Sequence, residues 1–499
     1  LKQPRPTKID PTQPGSFVAD FVDGISYIFK YADSVDKPCV VNLSWGSVSG
    51  PKDGTSIFSQ ALRNMVGEGR IFVASAGNNG GSPVHLSQKF TEKDTVLKSY
   101  FTYSSSLVNK PKGIWMDMWG DSLVSYSLNI SVVDINSKNA VAETGFIDNK
   151  IDSTYNLKLI AENDTINITL YCIPDDYNGK PHFFLEMGST KNHWFSISAK
   201  ATQGSLHMWN YFRVNNSLVS VNYQTLGDKN AKNGDIDYTI GDWVSGTEVV
   251  GVGAYVSKVN CLNADSVLIG YGSGVYFDAL ASFSSRGPTL SGLIKPDFCA
   301  PGMGVVASVN SFDTVFAQHG SSSSSVIRRV GWQGESYPYA LLQGTSMSSP
   351  VATGTIALFL EANPKLTPQK VIELIKMNAR TDYFTGPTIP NNLWGWGKLN
   401  AFSTIKDILG LSKVESEVTE PDSKLYPNPT TDFLRVEIQG NGRAEATILD
   451  FLGRELSTVS LDLGIQGVID TKILSNGVSY LIVKQKEKII SRSKFIIVK

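Results

Sequence analysis

Apolar residues recur at Phe17, Phe21, Ile25, Ile28 and Phe29, a helical spacing that predicts an amphipathic helix over 17–32 packed on a sheet. The stretch Cys39–Trp45 predicts a strand. Ile57, Leu62, Met65 and Val66 predict a second helix over 54–68, and an apolar strand follows at 71–76. Strand, helix and strand joined by short connections imply a parallel sheet with helical crossovers. Residues 248–254 resume the pattern much later in the chain. Val351–Phe359, with its small residues, reads as a buried helix, and another begins after Leu366. There Thr367 is a credible N-cap with Pro368 at the first helical position.

The period changes between these parts. From about 87 to 237 the chain alternates apolar and polar residues, for example in Thr165–Tyr171 and His182–Met187. Period-2 alternation with regular turn residues predicts a β-sandwich insert of jelly-roll-like type. Its entry follows Asn78, so it should stand near the rim of whatever site Asn78 serves. It either gates or extends substrate binding or is a spacer. Trp115, Trp119, Trp194 and Trp209 suit a carbohydrate-binding face or simple packing. Residues 303–341 read as a long connection, within which the serine run Ser321–Ser325 reads as a mobile surface loop. A charged stretch, 411–424, reads as a linker, and 425–499 as a small all-β unit with strands near 434–438, 446–450, 479–484 and 494–498.

Two short segments carry candidate chemistry. Gly344-Thr345-Ser346-Met347-Ser348-Ser349-Pro350 places a serine at the mouth of a helix. Backbone N–H groups there lack intrahelical acceptors and the dipole is positive, which suits an oxyanion as well as a side-chain cap. Asn78 ends an apolar strand and precedes Asn79-Gly80-Gly81. It is either a turn residue or an amide donor for a developing negative charge.

Four segments in order resemble the subtilisin-like serine protease (subtilase) family: Val40–Gly46, Ile71–Gly80, Ala281–Pro288 with Lys295–Gly302, and Gly344–Pro350. The resemblance spans about 15–83 and 238–410. It implies an α/β fold, a subtilisin-like parallel sheet with helices on both faces, interrupted by the β-sandwich insert and followed by the small all-β domain. The implied domains are 1–86 and 238–410 for the two catalytic parts, 87–237 for the insert, 411–424 for the linker and 425–499 for the C-terminal domain. The resemblance implies Ser346 as nucleophile and Asn78 as oxyanion donor. It implies Ser44, Trp45 and Gly46 as a strand-pairing substrate edge, with Ala76 and Gly77 as further substrate-binding positions. Peptides or proteins would be the substrates. No cofactor is required for the chemistry, and structural calcium, common in the family, has no ligands that can be placed here.

A serine needs a base and an orienting carboxylate. The family's Asp-Thr/Ser-Gly and His-Gly-Thr-His segments do not occur here. Of the five histidines, His85, His182, His193, His207 and His319, only His85 and His319 are conceivable substitutes, and each reads better as a solvated loop residue. The expectation is a processed or partial polypeptide whose own N-terminal segment supplies the missing pair. The competing expectation is a degenerate, non-catalytic binding protein.

Composition narrows the partners. A net charge of -1 and 41% hydrophobic residues describe a globular chain with no electrostatic footprint for nucleic acid. Cys39, Cys172, Cys261 and Cys299 are too far apart for a metal motif, and Cys39 and Cys299 read as free core thiols. Tyr426-Pro427-Asn428-Pro429, Asp450–Glu455, Leu474–Leu481 and the basic, apolar end resemble the C-terminal sorting domain of the type IX secretion system, though a small Ig-like module would share the β pattern. The resemblance implies a secretion machinery as partner and a secreted or cell-surface protein that crosses an outer membrane.

Overall fold

The computed structural model describes residues 14–102, 112–149, 152–175, 178–189, 191–214, 217–411, 423–450, 453–486 and 488–499. Residues 1–13, most of the expected linker and Phe451-Leu452 lie outside the described residues. The chain divides into two compact units, Leu1–Ile408 and Leu409–Lys499.

The first unit is built on a six-stranded sheet ordered Cys39–Leu43, Arg70–Ser75, Val250–Val256, Phe298–Ser308, Glu335–Gln343, Val326–Trp332. The first four strands are parallel. Burial explains their apolar runs: Ile71 and Val73 face a core with Ala352, Ile356, Phe359 and Leu374, while Phe72 and Ala74 face one with Ile25, Phe29, Phe58 and Leu62. A strand covered on both faces needs apolar residues at every position. Helices Pro14–Ser34 and Ile57–Met65 cover one face, and helices Thr345–Ala362, Pro368–Asn378 and Ala401–Ile408 the other. Thr367 caps its helix by accepting from Lys370 N at 3.2 Å, with Pro368 at the first position.

Two features differ from the sequence reading. The sheet is mixed, because Glu335–Gln343 runs antiparallel to Phe298–Ser308 and to Val326–Trp332. Residues expected to form a long connection therefore extend the sheet, and the serine run lies between its strands, ending in a short 3-10 turn, Ser323–Ser325. The strands escape notice because one face is open: Val330, Trp332, Tyr337 and Tyr339 are exposed, which blurs the apolar alternation.

The alternating region forms two sheets, of seven and five strands, closed over one apolar core that includes Phe101, Met116, Leu170, Phe183 and Phe195. The other face of the larger sheet meets the main body through Trp119, Trp209 and Tyr211, packed with Val48, Tyr238 and Leu290. Of the four tryptophans offered for a carbohydrate-binding face, Trp119 and Trp209 are buried at this junction, while Trp115 and Trp194 are half-buried. The second unit holds two antiparallel sheets, of three and four strands, around Leu434, Ile448, Leu481 and Phe495. Its strands Glu455–Leu463 and Gly467–Asp470 were not anticipated.

His85 is fully buried, not a solvated loop residue, because it begins the strand His85–Lys89 that pairs with Ser205–Val214. Its Nδ1 bonds Asp235 Oδ1 at 2.8 Å and its Nε2 meets His207 Nδ1 at 3.0 Å. One proton fits between those two ring nitrogens, so one of them is a lone pair. Burial lowers the pKa of both rings. That of His207 falls to about 3, with His85 and then Lys180 adding to the effect. Asp235, Asp237 and Lys52 act on His85.

A base whose folded pKa is depressed contributes stability that is present above its unfolded pKa and lost as pH falls. For His207 the window runs from 6.5 down to about 3, at about 1.4 kcal/mol per pH unit. The thermal midpoint should therefore fall between pH 7 and pH 5, and His207→Phe should flatten that slope. Fluorescence of Trp209, 5.1 Å and 6.2 Å from the two rings, should report the same transition. A slope identical in wild type and variant would contradict the assignment.

Candidate active site

The N-terminal turn of helix Thr345–Ala362 sits against the C-terminal ends of two parallel strands, and one asparagine just beyond or within each strand end grips it. Asn42 lies in the strand Cys39–Leu43. Its Oδ1 accepts from Ser349 Oγ at 2.7 Å and Thr353 Oγ1 at 3.2 Å. Its Nδ2 donates to Ser44 Oγ at 3.0 Å, and Ser44 Oγ donates to the Ser346 carbonyl at 2.7 Å. Asn78 follows the strand Arg70–Ser75. Its Oδ1 accepts from Thr345 N at 2.9 Å and Thr345 Oγ1 at 3.0 Å, and Thr345 Oγ1 accepts from Gly77 N at 3.1 Å.

This wiring leaves particular groups available. With the Asn78 oxygen committed to Thr345, its amide nitrogen is the donor turned toward the helix mouth. Gly344 caps the helix at φ +138 and ψ 156 without a side-chain cap bond, a backbone region that only glycine adopts easily. Asn78 Nδ2 and Ser346 N lie 3.6 Å and 3.7 Å from where a Gly344 Cβ would stand. Two N–H donors therefore border one point at the turn. Thr345 N is taken by Asn78 and Met347 N by the Gly344 carbonyl at 2.9 Å. Ser346 N and Ser346 Oγ have no partner among the described residues. Ser346 is thus not a capping serine. It is half-buried at the second helical position, with an exposed Asn78 beside the turn.

The expected substrate-binding residues divide by role. Ser44 is half-buried, and Trp45 and Gly46 are exposed where the chain leaves the sheet. Ala76 and Gly77 are engaged inside the chain. Ala76 N donates to the Val252 carbonyl and its carbonyl accepts from Gly241 N, while the Gly77 carbonyl accepts from Ser285 N at 2.9 Å. Ala76 is buried and Gly77 half-buried, so with these groups engaged the pair serves to set the path of Asn78. A Cβ on Gly77 would stand 2.8 Å from Ser285 Oγ.

The sequence reading missed Asn42, Thr345 and Ser285. For Asn42 the available signal was a polar residue inside an apolar strand, half-buried there and in need of partners. No histidine hydrogen-bonds to Ser346 among the described residues. His85 and His207 bond each other, His182 bonds Asp117 at 2.6 Å and His193 bonds Asp164 at 2.9 Å. His319 lies exposed in a loop. Cys39 is half-buried, Cys299 is buried, and burial raises both thiols. Among the described residues no group of three His, Cys, Asp or Glu is placed to hold a metal ion.

The chain is similar to known proteins in sequence and in fold. Residues 6–397 match the model of the subtilase family, and residues 424–499 match that of the secretion system C-terminal sorting domain. The chain is similar to serine protease AprX of Bacillus subtilis (strain 168), at 39% identity over 128 residues, covering 26% of each chain. It is also similar to the minor extracellular protease Vpr of the same organism, at 30% identity over 131 residues, covering 26% of this chain and 14% of Vpr. The matches therefore span about a quarter or less of those relatives. Among solved structures, the Clostridium perfringens CspB protease shares the fold, with a TM-score of 0.55 at 18% identity over 79% of this chain and 72% of that one. The C-terminal unit addresses the protein for export by type IX secretion, to the cell surface or beyond it. With the family model matched across most of its length and the helix-mouth serine and strand-end asparagine brought together, the chain belongs to the subtilase family.

Proposed function

We propose that the chain carries the nucleophile and oxyanion half of a secreted serine endopeptidase acting on peptides or proteins. The observation that supports this most directly is the convergence of Asn78 Nδ2 and Ser346 N at the turn beside an unpartnered Ser346 hydroxyl. Ser346 Oγ attacks the scissile carbonyl carbon as its proton passes to a base. The two N–H groups hold the oxyanion, the amine leaves with the proton, and water then hydrolyses the acyl-serine. Ser44, Trp45 and Gly46 pair with substrate backbone as an added strand. No cofactor enters these steps, and a structural calcium ion would act on stability alone.

The base and its carboxylate come, in this reading, from a segment of the same protein that docks on the Cys39–Leu43 edge. Two features support it. That strand is terminal in the sheet and pairs only with Arg70–Ser75 among the described residues, and an open edge of this kind invites another strand. A groove beside it runs between Lys37, Pro38 and Val40 and the helix residues Ala357, Leu360 and Glu361. A second reading, a non-catalytic protease-like binding protein, accounts equally for a Ser346 to which no histidine bonds among the described residues.

Fluorophosphonate labelling separates the two. Residues 1–499 should label weakly alone and strongly when joined to a segment bearing the base, and Ser346→Ala should abolish the signal. Labelling that persists in Ser346→Ala would remove the nucleophile assignment, and none under any condition would favour the binding protein. In the complete enzyme Asn78→Ala should lower kcat by roughly 10²–10³, the size of effect known for the oxyanion asparagine of subtilisin, a member of this family. Gly344→Ala should destabilise the protein by about 1–3 kcal/mol through its φ alone, seen in chemical denaturation, since its Cβ meets nothing closer than 3.6 Å.

A further inference from the structure

The loop that continues from the substrate edge is held from two sides. After Trp45 and Gly46 the chain runs through 47–56 to the next helix. On the main-body side, Asp242 Oδ1 accepts from Lys52 N at 3.0 Å and Ser245 Oγ accepts from Gly54 N at 3.2 Å. Gly50 presses on Asp242 so closely that a Cβ would come within 2.4 Å of the carboxyl carbon.

The other side is the insert. Asp117, buried in the strand Lys112–Gly120, accepts from Gly50 N at 2.7 Å and from Trp119 Nε1 at 2.9 Å through the same oxygen. Its second oxygen meets His182 Nε2 at 2.6 Å, and the His182 ring stacks on Trp119 with centroids 4.0 Å apart. Lys180 pairs with Asp53, and Asn178 Nδ2 donates to Thr55 Oγ1 at 3.0 Å. The Lys52 ammonium stands 4.2 Å above the Trp209 ring. The insert also reaches the oxyanion side, where Ser220 Oγ donates to Asn79 Oδ1 at 3.2 Å.

We propose that the insert is a positioning element for extended substrates, with Asp117 and Lys180 as positioning residues that fix the 47–56 loop and through it the Ser44–Trp45–Gly46 edge. The inference rests on the reading of that edge as a peptide-binding strand. A spacer would touch the body anywhere. This insert places a buried carboxylate, fixed by an indole and an imidazole, on one backbone N–H of the loop that the substrate edge feeds. A charge-assisted bond of that kind aims its donor as well as holding it. Among the described residues the insert adds no group to Ser346, so its effect falls on binding of a chain long enough to use the edge and spares a substrate too small to reach it.

The test compares two probes on the complete enzyme. One is the reduced, carboxymethylated insulin B chain and the other is p-nitrophenyl acetate. Asp117→Asn removes the charge while keeping the shape, and Lys180→Met cuts the second tie. Each should raise KM for the B chain about tenfold, as expected when a charge-assisted bond that orders the edge is lost. Ester kcat/KM should stay within about twofold, since no Ser346 contact changes. In a Ser346→Ala background, calorimetry should show B-chain affinity weakened by the same factor. This arm does not depend on turnover, so a wild type that binds the B chain but cleaves neither probe defeats the hydrolase reading and leaves the positioning role to be judged by affinity. Equal losses on both probes, tracking a fall in thermal midpoint, would make the insert merely structural and overturn the proposal. Unchanged B-chain affinity in both variants would overturn it as well.

Discussion

Two amide side chains hold one helix end to two strand ends, and the candidate chemistry depends on that grip. Asn42 and Asn78 stand far from the helix Thr345–Ala362 in sequence, yet each commits its oxygen to hydroxyl or N–H groups in the first turns of that helix. An amide has one end that accepts and one that donates. Once both oxygens are used, the directions of both nitrogens follow: one supports Ser44, which holds the Ser346 carbonyl, and the other is left at the Gly344 turn. The helix is short of acceptors for its first N–H groups by construction, so the same turn that needs a partner also supplies the donor at Ser346. Gly344 at φ +138 lets the chain come off the strand Glu335–Gln343 and enter the helix without a Cβ between the two donors.

Beside its apolar junction around Trp119 and Trp209, the insert meets the body through polar interactions that are poor choices for stability alone. Lys52 is 1% exposed and its ammonium has no hydrogen-bond partner among the described residues. Desolvation lowers it to about 7, against the raising influence of Asp117 and Asp242, and the same burial raises Asp242 to about 7. Packed apolar residues of equal volume would hold two surfaces together at less cost than a buried, incompletely paired charge. The ring of Trp209 under the ammonium offsets part of that cost. What charges provide and hydrocarbon does not is direction: Asp117 and Asp242 each receive one specified backbone N–H of the loop.

Much of this was legible in the sequence, for a physical reason in each case. The strands buried on both faces are continuous apolar runs, and the helices show their buried stripe. The motif at Gly344–Pro350 combines a glycine that only an unusual φ requires with small residues for close packing on the sheet. The hairpin at 326–343 was hidden because its exposed face carries Val330, Trp332, Tyr337 and Tyr339, so alternation, the signal for a half-buried strand, was lost. His85 was misread for a different reason: what buries it is pairing with a strand more than a hundred residues later, and no local pattern carries that information.

The same distinction explains why the candidate site could be only half read. Ser346 and Asn78 announce themselves because each sits at the end of a regular element, where local geometry dictates unpaired N–H groups or a turn. Asn42 and Asp117 do not, since each lies within a strand and its role comes from what the fold brings against it. A buried or half-buried polar residue in an apolar strand is nevertheless a local anomaly whose polar atoms need partners. Asn42 among Cys39, Val40, Val41 and Leu43, and Asp117 between Met116 and Met118, are two such anomalies. In this chain one reaches the helix that presents the serine and the other the loop that follows the substrate edge. Polar residues placed where a strand should be apolar therefore mark the long-range ties on which the candidate site rests.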